Sequence, residues 1–208
     1  MIATLLAASM QATADYRVEP LAIDARVADV IGPKRSGSLC LPAGSIAWRE
    51  ARPDPADARE AFATGLRVGG IGAGDTGNPF SESGRGATRA IRASLRGVRL
   101  SACVPPGGLG RLLNRGQSVK GDGVMAVTWR VYARSQDAPI LTGATCVTFA
   151  YRQERATLPS MTLAGFEAAG RQVAADVLAE GRLKDEEEAN CRRLAARPGA
   201  TFVVTGDD

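Results

Sequence analysis

Apolar and polar positions alternate most regularly between Val124 and Arg152. Met125, Val127, Trp129, Val131 and Ala133 take one parity, and Thr128, Arg130, Tyr132 and Arg134 take the other. Beyond "SQDAP", Leu141, Thr145, Val147, Phe149 and Tyr151 oppose Thr142, Cys146, Thr148 and Arg152. A period of two puts alternate side chains on opposite faces of a strand, so this stretch predicts a β-hairpin with one face in a core. Upstream, "ATRAIRASLRGVRLSACVPP" reads as one long strand. Its apolar residues Ile91, Ala93 and Leu95 change parity at Val98, Leu100 and Ala102, and a β-bulge at Gly97 would return both sets to one face. "LCLPAGSIAW" reads as a first core strand, bulged or at an edge because Pro42 and Gly44 interrupt it. Leu21, Ile23, Ala25 and Val27 alternate briefly, as a strand or an extended arm. "GPKRSGS" and the basic "GGLGRLLNRGQSVKGDG" read as loops, and "ATFVVTG" as a late strand.

Two helices interrupt this pattern. "PDPADAREAFATGLRVGG" has Asp54 as N-cap, Pro55 at N1, Phe62 and Leu66 on one face, and Gly69-Gly70 as its stop. "SMTLAGFEAAGRQVAADVLAEG" carries Leu163, Phe166, Gly170, Val173 and Val177 as a core stripe, with Ala and Gly residues that let it lie close to a sheet. "RLKDEEEANCRRLAA" extends it as a solvated face. The expected fold is α+β: a two-layer sandwich with a mixed sheet of about four strands and two helices on one face. The expected organisation is a signal peptide over 1–14, an N-terminal arm over 15–37, a core domain over 38–182 and an extension over 183–208.

The leader reading rests on the short apolar run Ile2–Met10 and the small-x-small site Ala12-Thr13-Ala14, with Asp15 as the new N-terminus. It implies export to the periplasm. No cysteine follows the apolar run directly, so no lipid anchor is expected, and no apolar run approaches the ~20 residues of a membrane helix. Cys40, Cys103, Cys146 and Cys191 are scattered and even in number, which in an exported chain predicts disulfides rather than a metal site. Cys40 and Cys103 each lie near a strand end before a proline and are expected to pair, leaving Cys146 for Cys191.

Composition narrows the chemistry. With no histidine among 208 residues, Ser-His-Asp and Cys-His catalysis and histidine-ligated metals are excluded. Ser118 and Lys120 are close in sequence but fall in a Gly-rich loop. Gly72 to Gly77 spells GxGxxG, but a helix precedes it and Asn78-Pro79 follows, the reverse of what a pyrophosphate cradle needs. No enzyme activity, metal or cofactor is expected.

The order strand, helix, three meandering strands, helix resembles small envelope modules: the lipopolysaccharide-assembly lipoprotein LptE, auxiliary lipoproteins of envelope ABC transporters, and the N-terminal domain of TolB. "FATGLRVGG", "VTWRVYAR", "ILTGATCVTFAY" and "LAGFEAAGRQVAADVL" carry the resemblance, over Leu39 to about Arg182. It implies an accessory or assembly role in the cell envelope.

If the apolar sheet face meets the helices, the other face carries Arg92, Arg96, Arg99, Arg130, Tyr132, Arg134 and Arg152. Same-face neighbours along a strand lie roughly 7 Å apart, so these form a dense positive surface. Like charges opposed across strands repel, which calls for a partner or for carboxylates from the chain termini. The expected function is non-enzymatic: binding an anionic envelope component or an acidic protein through this face. The alternatives are a structural module of a larger envelope complex, or a nucleic-acid-binding sheet, for which only Tyr132 offers a stacking aromatic.

Overall fold

The computed structural model describes residues 16–23, 25–74, 87–105, 118–134, 136–154 and 157–179. The leader, the 183–208 extension, the second half of the GxGxxG motif and the late strand lie outside them. The described strands are β1 (Tyr16–Val18), β2 (Ala22–Ile23), β3 (Val30–Ser36), β4 (Leu41–Ala47), β5 (Ala73–Gly74), β6 (Arg89–Val104), β7 (Ser118–Ala133) and β8 (Pro139–Glu154). The helices are α1 (Trp48–Ala51), α2 (Pro55–Val68) and α3 (Leu158–Leu178).

The α+β class and mixed sheet match expectation, but among the described residues the sheet has eight strand segments, not about four, and there is a third, one-turn helix. β6 is its spine. One edge pairs antiparallel with β7 along nearly its whole length, and β7 pairs with β8. The other edge is shared in succession by β1, β2 and β3, all parallel to β6. The segment read as an N-terminal arm therefore supplies three strands. Its single residues alternate too briefly to reveal this, because the pairing is with residues far along the chain.

Two expected loops are strands for reasons of packing. "GPKRS" lies in β3, between β4 and β6. Pro33 is tolerated there because it sits at a register shift, before the parallel pairing with β6 begins at Lys34. Gly32 has φ +153°, and a Cβ on it would lie 1.8 Å from the Leu100 carbonyl oxygen, so the residue marks close backbone approach rather than a turn. "SVKGDG" opens β7; Gly121 and Gly123 take the helix-facing parity, and Gly123 makes room for the Phe149 ring.

The expected bulge is present: Leu95 pairs with Val127 and Gly97 with Ala126, leaving Arg96 as the additional residue. Ile91, Ala93, Leu95, Val98, Leu100 and Ala102 are accordingly all buried. Met125, Val127, Trp129 and Val131 join them from β7, with Thr145, Val147 and Phe149 from β8. Helix α2 starts as its sequence dictates, with the Asp54 carboxylate accepting from the Ala56 N–H at 2.8 Å. Phe62 and Leu66 are fully buried. Helix α3 lies over β7 and β8, and α2 packs beside it, reaching β1 where Arg59 donates to the Val18 carbonyl. The small residues of α3 serve two neighbours: Gly165 faces Phe149 and Met125 of the sheet, and Gly170 faces Phe62 of α2.

One polar chain crosses the core. Trp129 Nε1 donates to Thr145 Oγ1 at 2.9 Å, and that hydroxyl donates to Asp176 of α3. Thr145→Val keeps the shape and deletes the hydroxyl, stranding a buried indole N–H and weakening the tie between helix and sheet. We expect a loss of about 1–3 kcal/mol, read as a lower denaturant midpoint, because a buried donor left without an acceptor costs its desolvation. A Thr145→Ser variant, which keeps the hydroxyl, should recover the polar part of the loss. If Val and Ser behave alike, the chain contributes nothing.

Cys40 and Cys103 form a disulfide, as expected, with Cα atoms 5.4 Å apart. It fastens the β3–β4 turn to the end of β6. Cys146 is also disulfide-bonded; its expected partner, Cys191, lies outside the described residues. Lys34 Nζ bonds Glu50 at 2.6 Å, which joins β3 to α1 and holds the Glu50 carboxyl below its ordinary range.

Candidate anion-binding face

The face of the sheet opposite α2 and α3 is built in cross-strand rows. Arg92 lies opposite Arg130, which lies opposite Thr142. Ser94, Thr128 and Ala144 form the next row, and Ala126 and Cys146 follow beside the bulge at Arg96. Arg99 then faces Val124 and Thr148, Ser101, Asp122 and Ala150 form the next row with an exposed carboxylate, and Lys120 faces Arg152 at the far end. The face is thus a ground of small and hydroxylic residues on which several cations and the Asp122 carboxylate stand. Parity places Arg92, Arg99, Arg130, Tyr132 and Arg152 on it as predicted, while Arg134 stands just beyond the end of β7. Arg96 occupies the bulge, is half-buried and is engaged in interactions of its own.

The facing pair Arg92 and Arg130 would repel. Glu19, in the connection between β1 and β2, relieves this: its carboxylate accepts from Arg92 Nε at 2.8 Å and lies 3.5 Å from Arg17. The Arg92 guanidinium also lies 5.2 Å from the centroid of the Tyr132 ring. The Glu19 hydrogen bond, and then its charge, raises the Arg92 pKa above its ordinary value. The neutralising carboxylate does come from the N-terminal segment. Among the described residues, Arg99, Arg130, Arg152 and Lys120 have no such partner.

A cleft of about 740 Å³ opens where β1, β6 and the β7–β8 turn meet. Arg17, Arg89, Arg92, Arg134 and Tyr132 line it together with Glu19. Arg89 is held by Tyr16: its Nη1 donates to the phenol oxygen at 2.7 Å, and its guanidinium lies 5.5 Å from the ring centroid. Sequence periodicity did not single out Arg17, Glu19 or Arg89. They enter the site through the parallel β1–β6 pairing, which leaves no local signal. Among the described residues no group of three or more histidine, cysteine, aspartate or glutamate side chains could hold a metal, and no helix is long and apolar enough to cross a membrane.

No family model matches the chain, and no curated protein does. Among solved structures, it is similar to PelC from Paraburkholderia phytofirmans, a dodecamer, at 14% identity and a TM-score of 0.33, covering 76% of this chain and 87% of that one. It is similar to a DUF330 protein from Xanthomonas campestris at 12% identity and a TM-score of 0.34, covering 85% and 88%. A minor lipoprotein from Acinetobacter baumannii aligns at 10% identity and a TM-score of 0.28, covering 85% and 92%. Of these three one is named a lipoprotein, and LptE and TolB are not among them. Nothing in them supports the expectation that the chain lacks a lipid anchor.

Proposed function

We propose that this protein is a non-enzymatic accessory component of the bacterial cell envelope that binds an anionic envelope component, or an acidic protein, through the face of its sheet opposite α2 and α3. One observation supports the reading above others. Arg92 faces Arg130 and Lys120 faces Arg152 across strands, and of these four only Arg92 has a carboxylate partner among the described residues. Facing like charges cost a few tenths of a kcal/mol each, a cost that an anionic partner removes. Arginine further supplies a planar fork of donors suited to carboxylate and phosphate.

The test is Arg99→Glu combined with Arg130→Glu. Neither side chain has an ion pair among the described residues, so the thermal midpoint should stay near that of wild type. Binding to phosphatidylglycerol vesicles and to polyglutamate should be lost. Wild-type binding should weaken steeply with salt, since exposed charges are screened over about 8 Å at physiological ionic strength. Should the double variant bind both probes as wild type does, the face is merely solvated and the chain is a structural module.

A further inference from the structure

The cleft at the end of the sheet has the composition of a site rather than of a solvated face. The guanidinia of Arg17, Arg92 and Arg134 meet two carboxylates, Glu19 and Asp137, while Arg89, which shares the parity of Ile91, turns its guanidinium to Tyr16 on the other side of the sheet, so one positive charge is left over. Its volume falls in the range of small-molecule pockets, about 300–1,000 Å³. Two of the three cleft guanidinia are already placed. Arg92 is held by Glu19 and the Tyr132 face, and Arg17 by the same carboxylate. One oxyanion, the Glu19 carboxylate, thus already bridges two guanidinia, which shows that their spacing suits such a group. Arg134 differs: its side chain is exposed and has no ion pair or ring contact among the described residues. Its backbone is fixed, since its N–H donates to the Thr88 carbonyl at 2.9 Å.

We propose that the cleft binds a phosphate monoester, with Arg134 as the guanidinium that closes on it and Arg92 and Arg17 as the pre-positioned donors. The proposal rests on the reading of this side of the sheet as anion-binding and adds the ligand's chemistry. Three guanidinia and a surplus of positive charge in one cleft match a group that carries negative charge on three acceptor oxygens near neutral pH. Guanidinia bind such oxygens bidentately, and pre-positioned ones lose little freedom on binding. The ester's organic part would rest against Tyr132. The same group occurs on soluble phosphate esters and on phosphatidic-acid-type lipid headgroups, so both are tested.

The experiment is calorimetric titration of the full chain with glycerol 3-phosphate, alongside co-sedimentation with phosphatidylcholine vesicles with and without phosphatidic acid. Saturable binding of glycerol 3-phosphate is expected. Arg134→Gln should weaken it about tenfold, the worth of one charge-assisted hydrogen bond, with Arg134→Lys in between and the thermal midpoint unchanged. Asp137→Asn should strengthen it by removing a like charge. Binding of phosphatidic acid vesicles that glycerol 3-phosphate competes away assigns the ligand to a lipid, whereas binding of the soluble ester alone assigns it to a soluble molecule; either supports the site. Absence of saturable binding by wild type, or wild-type affinity in Arg134→Gln, overturns it. The Arg99→Glu/Arg130→Glu variant separates the two proposals. If it binds polyanions as wild type does but Arg134 governs phosphate binding, the open-face reading falls and the cleft stands. If it loses the polyanions while Arg134→Gln binds phosphate normally, the cleft falls and the face stands.

Discussion

Gly170→Val should abolish the cooperative thermal transition, and Gly170→Ala should lower its midpoint clearly. A Cβ at Gly170 would lie 2.1 Å from the Phe62 carbonyl oxygen, and one at Gly65 would lie 2.1 Å from the Glu167 carbonyl oxygen. The obstacle in each case is backbone, which no rotamer change can move aside. Either substitution must push α2 and α3 apart, and the fully buried side chains that these helices carry, Phe62, Leu66, Phe166 and Val173, would lose contacts. Each such side chain is worth about 1.5–3 kcal/mol when fully buried. Against this, alanine gains only about 1 kcal/mol over glycine in helix propensity. The balance is unfavourable for alanine and exceeds the total stability of a typical domain for valine, near 5–15 kcal/mol, if several contacts are lost together. Circular dichroism melts decide the matter. A Gly170→Ala protein as stable as wild type would mean that the helices do not meet so closely.

The second large effect is expected from Cys40→Ser combined with Cys103→Ser. The bridge spans a separation of 63 residues, for which the loop-closure relation gives a stabilisation of about 4 kcal/mol. Here it also reinforces a weak junction. β3 is held to β6 over only Lys34–Ser36, and its other neighbour, β4, has exposed residues from Leu41 to Ser45. The variant should therefore lose stability by about 2–4 kcal/mol. Amide exchange should accelerate first in β3 and β4, before the long β6–β7–β8 ladder. Substitution is preferable to reductant, which would also open the bond at Cys146. An unchanged midpoint, or equal acceleration throughout the sheet, would count against this division of the sheet into a strong and a weak part.

How much of this could be read from the chain varied with the distance over which each element is specified. The hairpin faces, the α2 cap at Asp54, the α3 stripe and the bulge near Gly97 rest on residues a few positions apart, and periodicity exposed them. β1, β2 and β3 are short and parallel to β6, so their identity lies in partners some seventy residues away, as with Arg89 and Tyr16 at a separation of 73. Glycine misled in both directions. Gly121, Gly123 and Gly32 looked like loop residues but provide space for neighbouring backbone and rings. The basic face was legible because parity alone fixes it. The cleft was not, since Arg17, Glu19 and Arg89 reach it through non-local pairing.

The arrangement of β6 also carries a consequence for time. During synthesis β1, β2 and β3 leave the ribosome first, yet their common partner is completed only at Val104. Until then Val18 and Ile31, fully buried in the finished fold or nearly so, lack the strand that joins β1, β2 and β3 into one sheet. Pairings between distant segments form slowly because the intervening chain must be ordered first. The nascent N-terminal half therefore stays open while the chain lengthens, and collapse waits for a single strand. That strand is template for one edge and hairpin partner for the other, so its arrival sets the earliest moment at which the two parts of the sheet can join.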